Sequence, residues 1–153
     1  MIEVCASFKC SQRTWFLSVA ILDKYLTACY HNGIILENRD IHKGGVASMY
    51  MASKMEDTYP LHSRIVSEKI AHNAISAEEI VQIERDMLVL FDFNMDFVTH
   101  YDFSQTYCDK IEKQINHNLK LAGESISFDF ITKCQLLLAK MSEMTTYLTR
   151  MSI

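Results

Sequence analysis

Apolar positions in this chain recur every three or four residues rather than every second one, so the pattern predicts helices throughout. Residues 1–9, MIEVCASFK, read as the end of an amphipathic helix. No capping residue precedes Met1, so its beginning is expected upstream. Ser11 can cap a second helix over residues 12–30, with Phe16, Val19, Ala20, Asp23 and Leu26 at helical spacing. His31-Asn32-Gly33 stops it, with Gly33 suited to a left-handed C′ position.

Asp40 can cap a third helix over about 41–57. Here Gly44, Ser48 and Ala52 fall at i, i+4 and i+8 and form a ridge of small side chains, with Val46, Met49 and Met51 around the rest of the circumference. A helix apolar nearly all round is a central one, and the ridge lets a neighbour approach closely. The adjacent Gly44 and Gly45 cost roughly 2 kcal/mol of helix propensity relative to Ala, which packing must offset.

Tyr59-Pro60 ends that segment, and a short fourth helix follows over 63–72. Ser76-Ala77-Glu78-Glu79 then matches the capping box, with Ser76 as N-cap and Glu79 at N3. The fifth helix, 77–91, buries Ile80, Ile83, Met87, Leu88 and Phe91. Thr99 can cap a helix over 100–118, and another is expected over 128–144 with Phe130, Ile131, Cys134, Leu137, Leu138 and Met141 as its apolar set. The closing TTYLTRMSI reads as a turn and the opening of another helix. The expected fold is all-α, in two subdomains meeting within residues 92–99.

Composition changes little in that picture. Apolar residues make up 49% and charged residues 22% of the 153 positions, ordinary for a soluble globular domain. Four Gly and one Pro are too few for a turn-rich sandwich or barrel. A net charge of −4 gives no basic footprint and argues against nucleic acid as a partner. No apolar run is long enough to span a bilayer, and no signal peptide is visible, so no membrane partner is expected. Cys5, Cys10, Cys29, Cys108 and Cys134 are odd in number and none pairs as C-x-x-C, which points to reduced thiols in an intracellular protein. The location is expected to be the nucleus, the cytoplasm or both.

Chemistry is sparse. No phosphate-binding glycine loop, nucleophile elbow or zinc-binding H-E-x-x-H occurs, and His31, His42, His62, His72, His100 and His117 are scattered. No catalytic residue, metal or cofactor is expected. Glu56-Asp57 reads as a solvated helix end, although two acids at a helix C-terminus oppose the macrodipole. Two further charges stand out. Lys54 lies in the last turn of the most apolar helix, and Glu84 falls within the buried register of the fifth. Periodicity alone makes Lys54 a snorkelling cation and Glu84 an exposed acid.

Two stretches resemble the cyclin box. One is EVCASFKCSQRTWFLSVAILDKYL, residues 3–26; the other is GVASMYMASKMEDTYP, residues 45–60, followed by SAEEIVQIERDMLVLFDFNM, residues 76–95. The segments ASKMEDTYP and FDFN lean towards mitotic, A/B-like cyclins. The resemblance implies a cyclin-box five-helix bundle over 1–95, with its third helix central, and an incomplete second helical bundle over 96–153. It implies a non-enzymatic subunit that binds a cyclin-dependent protein kinase and pushes its mobile helix inward, completing the kinase's Lys–Glu ion pair. Lys54 and Glu84 match the family's charges that hydrogen-bond the backbone around that helix. Met55, Leu88, Phe93 and Met95 match its apolar neighbours. An adaptor that carries the same box without activating a kinase is the alternative.

The chain also departs from the family. The MRAIL-like opening segment is absent, so Asp23 lacks its usual Arg partner and is expected as a costly unpaired buried carboxylate. Lys43 stands where an apolar residue is usual. The second box stops after roughly two helices. Those departures imply a piece of marginal stability when alone.

Overall fold

The computed structural model describes residues 2–121 and, beyond them, 132–134, 136, 137, 139, 140, 143 and 147. Every described element is helical: α1 (Ile2–Ser7), α2 (Gln12–His31), α3 (Asn38–Glu56), α4 (Ser63–Ile65), which runs directly into a wider π-turn (Val66–Ile70), α5 (Ala77–Leu90) and α6 (His100–Leu121). The chain divides into two compact units, Met1–Phe97 and Val98–Ile153. The first holds five helices, counting α4 with its continuation. In the second, α6 is the one element described as a whole. The helix expected over 128–144 falls largely outside the described residues, as do Phe130, Ile131, Leu138 and Met141.

α3 is the centre of the first unit. Every residue from Val46 to Ser53 is buried, so no side of its middle faces solvent. Its small ridge meets α2: a Cβ on Gly44 would lie 2.9 Å from Tyr25 Cε1, 3.1 Å from Cδ1 and 3.5 Å from Leu22 Cδ1. Glycine is therefore fitted here by contact and not by backbone angle. The core joins Leu17 and Ile21 of α2, Ala47, Met51 and Ala52 of α3, and Met87 and Phe91 at α5. Ile21, Ile80 and Met87 have no exposed surface, and each contributes about 1.5–3 kcal/mol by leaving water.

The helix starts follow side-chain chemistry. Ser11 Oγ accepts from the Thr14 N–H at 3.0 Å, Ser76 Oγ from the Glu79 N–H at 3.1 Å, and Thr99 Oγ1 from the Asp102 N–H at 3.3 Å. α3 begins earlier than its expected Asp40 cap. Glu37 is the N-cap, and Asp40 sits at N3, where its Oδ2 accepts from the Glu37 N–H at 3.0 Å. The fourth helix is shorter than expected, because it widens to i→i+5 turns and breaks at His72 and Asn73, both at positive φ.

Two readings of burial are corrected. In α2 the buried residues are Thr14 to Ser18, Ile21 and Cys29, whereas Val19, Ala20 and Leu26 are half-buried and Asp23 is exposed. Phe16 is buried as expected, but Asp23 stays solvated, so the cost of an unpaired buried carboxylate does not arise. Glu56 and Asp57 are not an idle helix end either. Glu56 pairs with Arg13 at 3.0 Å, while Asp57 Oδ1 accepts from the Ser11 N–H at 2.9 Å and from Thr14 Oγ1 at 2.7 Å. The acids that oppose the dipole of α3 complement the dipole at the start of α2.

Candidate functional site

Three helices of the first unit end in the same local structure. After α5, Phe91 is the C-cap and Asp92 takes a left-handed φ of 52°. The Phe93 N–H donates to the Leu88 carbonyl at 2.9 Å and the Asp92 N–H to the Val89 carbonyl at 3.0 Å, the paired bonds of a Schellman motif. α2 ends likewise with Gly33 at φ 68°, and α1 with Lys9 at φ 54°. Phe93 itself has φ 55°. That angle is rare for a bulky side chain and is tolerated only where the surroundings impose it.

A charged pair joins α3 to α5. Lys54 Nζ donates to Glu84 Oε1 at 2.6 Å, joining the last turn of α3 to the middle of α5. The lysine side chain is 42% exposed and the glutamate 12%. Lys54 Nζ also lies 4.9 Å from the centre of the Tyr50 ring, one helical turn back. Partial burial works to lower the pKa of the ammonium, but the hydrogen bond and charge of Glu84, with Tyr50, outweigh it and leave the pKa raised. The charge is thus secure at neutral pH. As a contribution to stability so exposed a pair is worth roughly 0–1 kcal/mol. Its chemical capacity is larger, because the ammonium retains donors and the carboxylate a second oxygen.

The apolar residues singled out from sequence divide into two groups. Leu88 and Met95 are half-buried and pack on the core cluster. Leu88 lies one turn after Glu84 on the same face of α5. Met55 and Phe93 are 46% and 69% exposed. The Phe93 backbone folds back onto Leu88 through its hydrogen bond, whereas Met55 is tied to the set only by following Lys54. We call this set the candidate shelf: the bonded Lys54 and Glu84, Leu88 one turn on, and the exposed Phe93 after it.

Sequence reasoning missed three participants. Tyr50 was legible, since it precedes Lys54 by four residues. Lys43 bonds Glu79 at 2.6 Å and so ties the start of α3 to the start of α5, which explains a cation where an apolar residue was expected. Lys24 reaches across from α2 to the segment after α5, and no local pattern marks it. Elsewhere, a recess of about 520 Å³ is lined by Phe8, Cys10, Glu56, Asp57 and Tyr59 among others. Its acids are committed to α2, and burial, with Cys5 and Asp57, pushes the Cys10 thiol up to about 12. Among the described residues no three His, Cys, Asp or Glu side chains group as metal ligands, and no helix is long and apolar enough to cross a membrane.

Comparison with known proteins gives one consistent result. The family profile described as "Cyclin, N-terminal domain" matches residues 1–96. The chain is 30% identical over 120 residues to the G2/mitotic-specific cyclin-B of Emericella nidulans, covering 78% of this chain and 23% of that protein. It is 28% identical over 114 residues to the G1/S-specific cyclin-D1 of Homo sapiens, covering 72% and 36%. It is 28% identical over 130 residues to Cyclin-A3-2 of Oryza sativa subsp. japonica, covering 83% and 32%. The chain thus spans between 23% and 38% of the length of the first curated relatives it matches. The similarity is spread across B-, D- and A-types and does not single out the mitotic ones.

Proposed function

The chain belongs to the cyclin family, and on that footing we propose that it is a regulatory, non-enzymatic subunit that binds a cyclin-dependent protein kinase inside the cell and activates it. Residues 1–95 act as the docking box, and 96–153 as the opening of a second box. Neither nucleic acid, membrane nor cofactor enters this reading.

One observation carries it: the short Lys54–Glu84 pair, with Leu88 one helical turn after Glu84 and Phe93 bonded through its backbone to Leu88. A helix from another protein is held by an apolar bed for affinity and a few charge-assisted bonds for register. Lys54 and Glu84 already hold each other in place, so little side-chain ordering remains when a partner arrives. Lys54 then donates to carbonyls at one end of the kinase helix and Glu84 accepts from N–H groups nearby. Met55, Leu88, Phe93 and Met95 cover its apolar side. Bound in this way, the helix is kept in its inward position, which the kinase alone populates too rarely.

The test is to add the purified chain to an inactive monomeric cyclin-dependent kinase and follow phosphate transfer to a protein substrate. The expected result is complex formation with a rise in activity. Complex formation without any rise would make the chain an adaptor. Absence of a complex would overturn the proposal.

A further inference from the structure

We propose that Lys24, on α2, is a positioning residue that sets how Phe93 and Met95 are presented, by clamping the segment Phe91–Phe97 at its middle. Its ammonium donates to the Asn94 carbonyl at 2.6 Å. It also lies against two rings, 5.1 Å from the centre of Phe91 and 4.9 Å from that of Phe97. These rings meet edge to face, with centres 6.4 Å apart. Phe91 is buried in the core and Phe97 packs on it, as does Met95, so both ends of the segment are fixed while Asp92, Phe93 and Asn94 stay exposed.

Within that exposed stretch lie the two consecutive left-handed residues, Asp92 and Phe93. Hydrogen bonds of the turn hold them: Asp92 N–H to Val89, Phe93 N–H to Leu88 and Asn94 N–H to Phe91 at 3.0 Å. A bulky residue at such a φ relaxes unless its neighbours are pinned. Lys24 pins the next residue by its backbone carbonyl. A cation near two ring faces is favoured by each, and its bond to a carbonyl is charge-assisted. The ammonium thus links α2 to the strained turn that leaves Phe93 exposed.

The effect of this clamp on a kinase rests on the function proposed above, but its effect on the turn does not. The experiment therefore has two readouts on the full chain: amide hydrogen exchange and affinity for a cyclin-dependent kinase. Lys24→Met is expected to speed exchange at Phe93 and Asn94 by at least about ten-fold and to weaken kinase binding by a similar factor, because one charge-assisted bond and two ring contacts are lost. Amides of Val46–Ser53 stay protected. Lys24→Gln, which keeps a donor but no charge, falls between, and Lys24→Arg restores both readouts. In a Phe93→Ala background Lys24→Met costs under about two-fold, because non-additivity marks residues acting through one another. Unchanged exchange at Phe93 and Asn94, a uniform loss of protection in both Met and Gln variants, or fully additive losses would each overturn the clamp. If the unsubstituted chain binds no kinase, the proposed function fails while the exchange data still decide the clamp.

Discussion

Glu79 is held by Lys43 first, with burial opposing and the Ser76 backbone and Arg39 adding, and its pKa lies below the ordinary 4.5. A depressed carboxyl stabilises the fold above its ordinary value and loses that contribution as pH falls through the folded-state value. Glu79→Gln should therefore lower stability at neutral pH, with the gap to the unsubstituted chain closing in acid. Urea unfolding across pH checks this, and a gap that persists in strong acid would contradict it. At Gly44, substitution by Ala gains about 1 kcal/mol of helix propensity. It also drives a methyl to 2.9 Å from the Tyr25 ring, and such overpacking costs typically 1–3 kcal/mol. A net loss of about 1 kcal/mol is expected in denaturant titration. The small-residue ridge was legible because spacing alone reveals it. Asp23, Glu56 and Asp57 were misread because exposure and partners depend on which helix end lies opposite, and sequence spacing carries no such information.

At the scale of the element, starts were more legible than stops. Ser11, Ser76 and Thr99 announce themselves by residue type, since a side-chain oxygen must meet free N–H groups. Ser76→Ala should cost about 1 kcal/mol by loss of that bond, read as a lower melting temperature. Of the three matching helix ends only α2 has the expected Gly, at Gly33; Lys9 and Asp92 take the same conformation without its help. The FDFN segment then acquires a physical meaning. Phe91 is buried in the core, Asp92 turns the chain, Phe93 is displayed, and Asn94 offers its carbonyl to Lys24. Asp92→Gly should raise stability by roughly 0.5–1 kcal/mol, because Gly adopts positive φ without steric cost. Denaturant midpoints check this, and a loss of stability would show that the Asp92 side chain does more than tolerate the turn. The widening of the fourth helix to i→i+5 turns was not legible, since nothing local in VSEKI distinguishes it from an ordinary helix.

Across the whole molecule, the central place of α3 follows from its apolar circumference, and the all-helical class from the spacing of apolar residues. The shelf was legible only through family resemblance: from periodicity alone, Lys54 and Glu84 read as separate solvated charges. Their bond is a long-range event, thirty residues apart in sequence, made possible because α3 and α5 pack on one core. The central claim is that this pair grips a kinase helix, and calorimetric titration of a cyclin-dependent kinase with the unsubstituted chain, Lys54→Ala and Glu84→Ala tests it most directly. Truncating either charge should cost about 2–5 kcal/mol of binding, since the other is left unpaired in a desolvated contact, while melting temperature changes little. Affinities equal to that of the unsubstituted chain would contradict the account.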